Sequence, residues 1–351
     1  MVAEPKTLEE VRNIARAKLK GICGVYKDCD GDPRRLCQGQ SYGRALGIGG
    51  IGSGAGFHNN FLALRKYNLK MKLIEGDYIP DTKYDFFGKT LSMPIMAASV
   101  AGVNSFGGDA VITEQEFCRS VVLGCKAAGT LGWRGDTYTY SLENSYGINA
   151  IAEADGLGVK IVKPRDQETI IKFFKKAEEV GCVAVGVDVD GAGSFAMAMH
   201  NKPVFKKSPE DIKELVSSTK LPVIIKGIMS LEDALNAAES GVAAIVVSNH
   251  GGRVLDHTPG TADVLPEIAD ELKGRIKIIV DGGIRTGYDV TKMLALGAES
   301  VLIGRDIVRA SVGARDEGVK IYLEYMQNTL QKALKMTSCR SLKEISSIIL
   351  I

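Results

Sequence analysis

LPVIIKGIMSLEDALNAAESGVAAIVVSNHGG, residues 221–252, and IKIIVDGGIRTGYDVTKMLALGAESVLIGRDI, residues 276–307, repeat one pattern. Each reads as an apolar run, a Gly-containing turn, a stretch of helical period, Gly-Val or Gly-Ala, and a second apolar run. In the first unit Leu231, Ala234, Leu235 and Ala238 recur at spacings of three and four, so one apolar stripe can pack back onto the strands. Val290, Met293 and Leu294 do the same in the second. Short buried strands alternating with amphipathic helices predict a parallel sheet wrapped by helices.

Upstream, the same kind of run occurs at SMPIMAAS (92–99), around Gly129 to Leu131, at GVKIV (158–162) and at VAVGVDVD (183–190). With 222–226, 244–248, 277–281 and 300–304 they make eight strands. Eight strand and helix alternations over about 250 residues match a (β/α)8 TIM barrel, whose chemistry sits at the C-terminal strand ends. The fold class is therefore α/β, with a barrel over 91–351. A doubly wound open sheet is the alternative, and no strand here is followed by the GxGxxG turn such sheets use for nucleotides.

Residues 1–90 differ in kind. An amphipathic helix from about Thr7 to Lys20 leads into a Cys-, Gly- and Arg-rich stretch and then GIGGIGSGAGF, expected to be loop. This part is expected to cap one barrel mouth. VKIYLEYMQNTLQKALKMT, near the C-terminus, has helical period and is expected to be the eighth barrel helix.

Composition narrows the partners. Of 351 residues 45% are apolar and 25% charged, which suits a large globular core. A net charge of +2, with both signs scattered, offers no footprint for nucleic acid or an anionic membrane, so a small-molecule partner is expected. No apolar run approaches the roughly 20 residues of a membrane span and no signal peptide is visible, so a cytoplasmic location is expected. Seven cysteines, an odd and sparse set, agree with a reducing compartment. Cys23, Cys29 and Cys37 are separated by five and then seven residues, not the short C-x2-C of metal sites, so free thiols and no metal are expected.

Two segments carry chemistry. DGGIRTG (281–287) followed by LIGRDI (302–307) places two glycine turns and two arginines at the last two strand ends, a common phosphate position in a barrel. VVSNHGGRVLDHTPGT (246–261) puts His250 at a strand end, with two glycines clearing space and then Arg253. That arrangement offers a proton acceptor and a fixed cationic fork to one ligand. The chain has only four histidines.

These segments, with SGAGFHNNFLALRKYNLKMKLI (53–74) and FFGKTLSMPIMAAS (86–99), resemble the FMN-dependent 2-hydroxy acid oxidase and dehydrogenase family, which includes glycolate and lactate oxidases. The resemblance is close from about Leu221 onward and looser upstream. It implies FMN as cofactor, an anionic small-molecule substrate, a homo-oligomer, and an electron acceptor the sequence does not reveal. His250 matches the base that takes the substrate proton while hydride passes to flavin N5, and Asp190 the aspartate that stabilises its imidazolium form. Arg253 matches the arginine for the substrate carboxylate. Lys226 matches the lysine beside flavin N1. Asp281, Gly282, Gly283, Arg285, Gly304 and Arg305 match the flavin and phosphate site. Ala98, Ser99 and Ser248 complete the flavin-facing set. A flavin-dependent isomerase or reductase, or a flavin-binding protein without catalysis, are the other readings of the same site.

By counting, other family positions hold different residues here. The substrate tyrosines fall on Gly50 and Val162, a strand glutamine on Lys160, and a second carboxylate-binding arginine on Met197. The expectation is a more open, more apolar pocket, with Lys160 as a second cation beside the flavin. Trp133, with Arg134 and Asp136, is expected to follow the second strand, walling the site or packing at its rim.

Overall fold

The computed structural model describes residues 5–20, 49–106 and 108–351. Cys23, Cys29 and Cys37 lie outside the described residues. The first element is helix α1 (Leu8–Leu19), started by Thr7, whose hydroxyl accepts from the Glu10 amide while the Glu10 carboxylate returns to the Thr7 amide. This reciprocal cap satisfies two backbone donors the helix leaves open. Helix α2 (Ala55–Arg65) follows, then a hairpin of β1 (Tyr84–Phe86) and β2 (Lys89–Leu91).

Eight parallel strands then close a barrel. They are β3 (Ile95–Ala97), β4 (Gly132–Arg134), β5 (Gly158–Val162), β6 (Ala184–Asp188), β7 (Val223–Ile228), β8 (Ala244–Val247), β9 (Lys277–Val280) and β10 (Ser300–Ile303), the last pairing with the first. The expected strands are all present. The second starts three residues later than expected, because Gly129 has φ +75° and turns the chain before β4 begins.

Residues alternate across each strand, so the barrel has two cores. Met96, Trp133, Val159, Ile161, Ile224, Val246, Ile279 and Leu302 fill the interior. The opposite faces meet the surrounding helices. In α5 (Gln167–Glu179), for example, Ile170, Phe173, Phe174 and Ala177 are buried at helical spacing. Trp133 is thus an interior strand residue and does not wall the site, its indole N–H meeting Met96 Sδ at 3.3 Å.

The N-terminal part caps both ends of the barrel. Phe86 of the hairpin stacks 6.0 Å from Trp133, and Tyr84 and Phe87 lie under Lys277 at the start of β9, so the hairpin plugs the N-terminal mouth. Helix α2 packs at the other end. The last helix, α11 (Arg305–Met336), breaks at Ala314 and Arg315, where φ of +52° at Arg315 interrupts helical geometry. Its first segment therefore starts at the end of β10 independently of the long outer helix that follows. Among the described residues no helix is long and apolar enough to cross a membrane.

Candidate functional site

GVDVD puts two aspartates on one face by alternation, and β6 ends at the first of them. The chain then turns through Val189–Gly193, which carries Asp190 across to β7. There the strand register slips between Lys226 and Ile228, leaving Gly227 with φ +98°. A Cβ at Gly227 would stand 2.5 Å from Asp190 Cγ, so only glycine lets this carboxylate approach the strand. His250 enters from the turn after β8 in left-handed conformation, φ +56°, a geometry that concentrates at functional sites in non-glycine residues. Its Nδ1 lies 2.9 Å from Asp190 Oδ1, and its backbone N–H donates to Ser248 Oγ. Burial alone would raise the pKa of Asp190, but His250, Lys226 and Lys163 outweigh it and hold the carboxyl well below the usual range. Asp190 is therefore an anion at neutral pH, able to stabilise a charged imidazole.

Lys226 is buried, with Nζ 2.7 Å from Ser248 Oγ and 3.1 Å from Asp281 Oδ2. Burial favours the neutral amine, yet Asp281, Asp190 and Asp188 together raise its pKa and keep the ammonium. The site thus holds a permanent cation beside the His–Asp pair.

The phosphate side is built around α2. Gly282 and Gly283 both have positive φ, and a Cβ on either would stand under 3 Å from Asn60. Their lack of side chain lets α2 come against the end of β9. Asn60 accepts from the Thr261 amide and donates to Asn249 Oδ1, pinning the loop before His250. Arg285 lies over the Phe61 ring at 3.6 Å and Arg305 over Phe57 at 4.5 Å. Arg305 also donates to the Gly251 carbonyl and Arg253 to that of Gly49. At the end of β10 a Cβ on Gly304 would meet nothing closer than 3.8 Å, and α11 begins there with no side-chain cap. An open cradle at an uncapped helix start suits a phosphate. Ala98 and Ser99 follow β3 on the facing side, with Ala98 N–H bonded to the Ile303 carbonyl. The open Gly304, the uncapped start of α11 and the nearby cations are the features that a flavin mononucleotide would need of its holding residues.

Several sequence expectations are corrected. Val159 and Ile161 face the barrel interior, so Lys160 must face outward; it is fully buried in the helix layer, donates to the Gly135 carbonyl and lies 5.1 Å from the Tyr140 ring. It is not a cofactor residue. Val162 also joins the outer core. Gly50 opens no space either, since a Cβ there would be 3.0 Å from Gly54 Cα and 3.1 Å from Phe57 Cβ. Met197 is buried, while its neighbours Phe195 and Met199 are exposed.

Sequence reading also missed residues. Asp188 Oδ2 lies 3.9 Å from His250 Nδ1 and 2.5 Å from Lys163 Nζ. Asp136 takes a bidentate contact from Arg165 at 2.7 and 3.0 Å. The signal for Asp188 was present in VDVD, where residues two apart share a face. Asp188, Asp190 and His250 offer ligand atoms within 4.8 Å of one another. The ammonium groups of Lys163 and Lys226 already supply this cluster with positive charge, and we read it as a proton-handling group.

The profile of the FMN-dependent dehydrogenase family matches residues 45–202 and 192–351. A peroxisomal (S)-2-hydroxyacid oxidase of Arabidopsis thaliana is 44% identical over 137 residues, which are 39% of this chain and 38% of that protein. The chain thus spans well under half the length of that relative in the matched segment. 2-Hydroxyacid oxidase 1 of Homo sapiens is 29% identical over 332 residues, 82% of this chain and 86% of that one. A solved mandelate oxidase structure superposes with a TM-score of 0.76 at 28% identity, covering 96% of this chain and 95% of that one. With its closed barrel and these matches, the chain belongs to the FMN-dependent dehydrogenase family.

Proposed function

We propose that this protein is an FMN-dependent oxidoreductase that oxidises 2-hydroxy acids carrying an apolar side chain. The observation that carries the reading is the 2.9 Å contact of His250 Nδ1 with the Asp190 carboxylate, set beside the buried Lys226 ammonium. Because Nδ1 is engaged, Nε2 is the nitrogen that takes the substrate proton, and Asp190 stabilises the imidazolium that results. FMN, when bound, supplies a two-electron acceptor for the hydride. Lys226 is assigned the negative charge that accompanies reduction, and Arg253, anchored through Gly49, the substrate carboxylate. Ala98, Ser99, Ser248, Asp281, Gly282, Gly283, Arg285, Gly304 and Arg305 are assigned to holding the cofactor.

The apolar preference rests on the loops beside His250. Phe195, Met199, Phe205 and Leu255 are 39%, 56%, 47% and 67% exposed, unusual for large apolar side chains at a strand-end mouth. The two loops touch, since a Cβ on Gly193 would stand 2.7 Å from Val254. The similarity to a mandelate oxidase supports the same preference. A homo-oligomer belongs to this reading, supported by exposed Ile74, Ile79, Ile348 and Ile351. So does a cytoplasmic location, supported by the free cysteines 118, 125, 182 and 339.

Anaerobic stopped-flow mixing with glycolate, L-lactate, mandelate and 2-hydroxyoctanoate tests it. Bleaching of the flavin band at about 450 nm by the latter two at lower concentration is expected. Fast reduction by glycolate at sub-millimolar concentration refutes the preference, and bleaching by reduced nicotinamide alone replaces the oxidase with a reductase.

A further inference from the structure

Two buried cations stand side by side on the outer face of the barrel. Arg134 of β4 and Lys160 of β5 are register partners, and neither is exposed to solvent. Like charges on neighbouring strands repel, and burying an ammonium with no carboxylate bonded to it is costly. Arg134 lies over the Phe117 ring and donates to the Cys118 thiol. Lys160 is caged by the Tyr140 and Phe173 rings at 5.1 and 5.6 Å, and its ammonium donates to the Gly135 carbonyl. Gly135 is the first residue after β4. A Cβ there would stand 2.2 Å from the Ser99 carbonyl oxygen, so the turn after β4 rests directly on the segment after β3. On its other side that segment is held by the bond from the Ala98 N–H to the Ile303 carbonyl of β10. The same turn grips the end of β5 at a second point, where Asp136 accepts from the Lys163 N–H and from Arg165.

We propose that Lys160 is a positioning residue for the cofactor: its ammonium ties the Gly135 carbonyl to β5 and thereby seats the Ser99 segment against which the flavin lies. The proposal rests on the reading of Ala98 and Ser99 as flavin-facing. A charged donor holds a carbonyl more firmly than a neutral one, and an apolar residue at this position would not hold it at all. That gain accounts for a buried charge that otherwise only costs stability. Burial pushes the Lys160 pKa down to about 8. The tether is therefore charged below that pH and weakens as pH rises through it. The charged and titratable groups around Lys160 are Arg134 and Asp136 from β4 and its turn, Tyr140 further along that turn, Cys118 from the helix Glu114–Ala127, Arg165 after β5 and Cys182 before β6. Arg134 and Arg165 add to the effect of burial, and Asp136 opposes it.

Fluorescence titration with FMN and hydrogen exchange of the flavin-free protein read this without turnover. Lys160→Met keeps an apolar stem and removes the ammonium. It should raise the Kd for FMN by about 10-fold at pH 7, the order expected when one charge-assisted hydrogen bond is lost. In the wild type that Kd should climb by a similar factor between pH 7 and pH 9, and the variant should lack the climb. Amides of residues 132–140 in the flavin-free variant should exchange faster at pH 7, with β10 as the unchanged reference. Protection of the same segment in the unaltered protein should fall between pH 7 and pH 9, which tests the tether with no substitution. An unchanged Kd in the variant overturns the proposal, leaving Lys160 a buried strand residue and no more. Weaker binding with wild-type exchange also overturns it, because the charge would then act on FMN at long range and not through Gly135. So does weaker binding that keeps the full pH dependence of the wild type. Wild-type protein that binds no FMN at any pH is a failure of the functional reading, visible before any substitution is made, and it removes this proposal with it.

Discussion

Gly227→Ala tests the site through the backbone that seats Asp190. The new Cβ would lie 2.5 Å from Asp190 Cγ and 2.7 Å from its Oδ1, well inside van der Waals contact. The backbone is at φ +98°, where a side chain costs roughly 1–3 kcal/mol. Relief requires Asp190 to move away, and that breaks its 2.9 Å contact with His250. A hydrogen bond to a charged group contributes about 1.5–3 kcal/mol, which corresponds to roughly 10- to 150-fold in rate if it is made fully in the transition state. The expected outcome is therefore a flavoprotein whose flavin is reduced by substrate about 10- to 150-fold more slowly, with a lowered melting temperature. Anaerobic stopped-flow absorbance gives the rate and circular dichroism the melt. Wild-type reduction rate in a variant that melts as the wild type would refute both the steric argument and the role of the Asp190 contact.

The cofactor released from purified protein should be FMN, with its single phosphate, and mass spectrometry decides between it and FAD. His250→Gln should keep the flavin and slow its reduction by roughly 10²- to 10⁴-fold, whereas loss of flavin from this variant would show a structural role. Lys160→Met concerns stability: burial pushes this lysine down to about 8 from 10.5, so between those pH values the unfolded chain binds a proton that the folded one has released. Folding stability from this group thus rises as pH climbs through that window, by up to about 3 kcal/mol, and below it the full cost of the buried charge remains. The methionine variant should be more stable than wild type in urea at pH 7 and lose that advantage by pH 10; a gap constant with pH would contradict the burial argument.

What the sequence by itself determined was the barrel and the position of its chemistry. Strand and helix periods are local properties, so the repeated units at 221–252 and 276–307, together with the four apolar runs upstream, were enough to count the strands and to put His250, Asp190, Lys226 and Gly304 at their C-terminal ends. The glycine turns were legible for the same reason, though not their second use as the seat of α2 against Asn60. The tertiary structure decided what depends on strand register. Counting placed Lys160 beside the flavin, but a shift of one residue exchanges the two faces of a strand, and the inward Val159 and Ile161 send Lys160 to the helix layer. Gly50 shows the same limit: only packing against Gly54 and Phe57 reveals that its missing side chain leaves no room. The pairing of Asp188 with Lys163 joins residues 25 apart in sequence. Such contacts arise because closing the barrel brings the ends of separate strands to one point, and no periodicity within either segment encodes which charges will meet there.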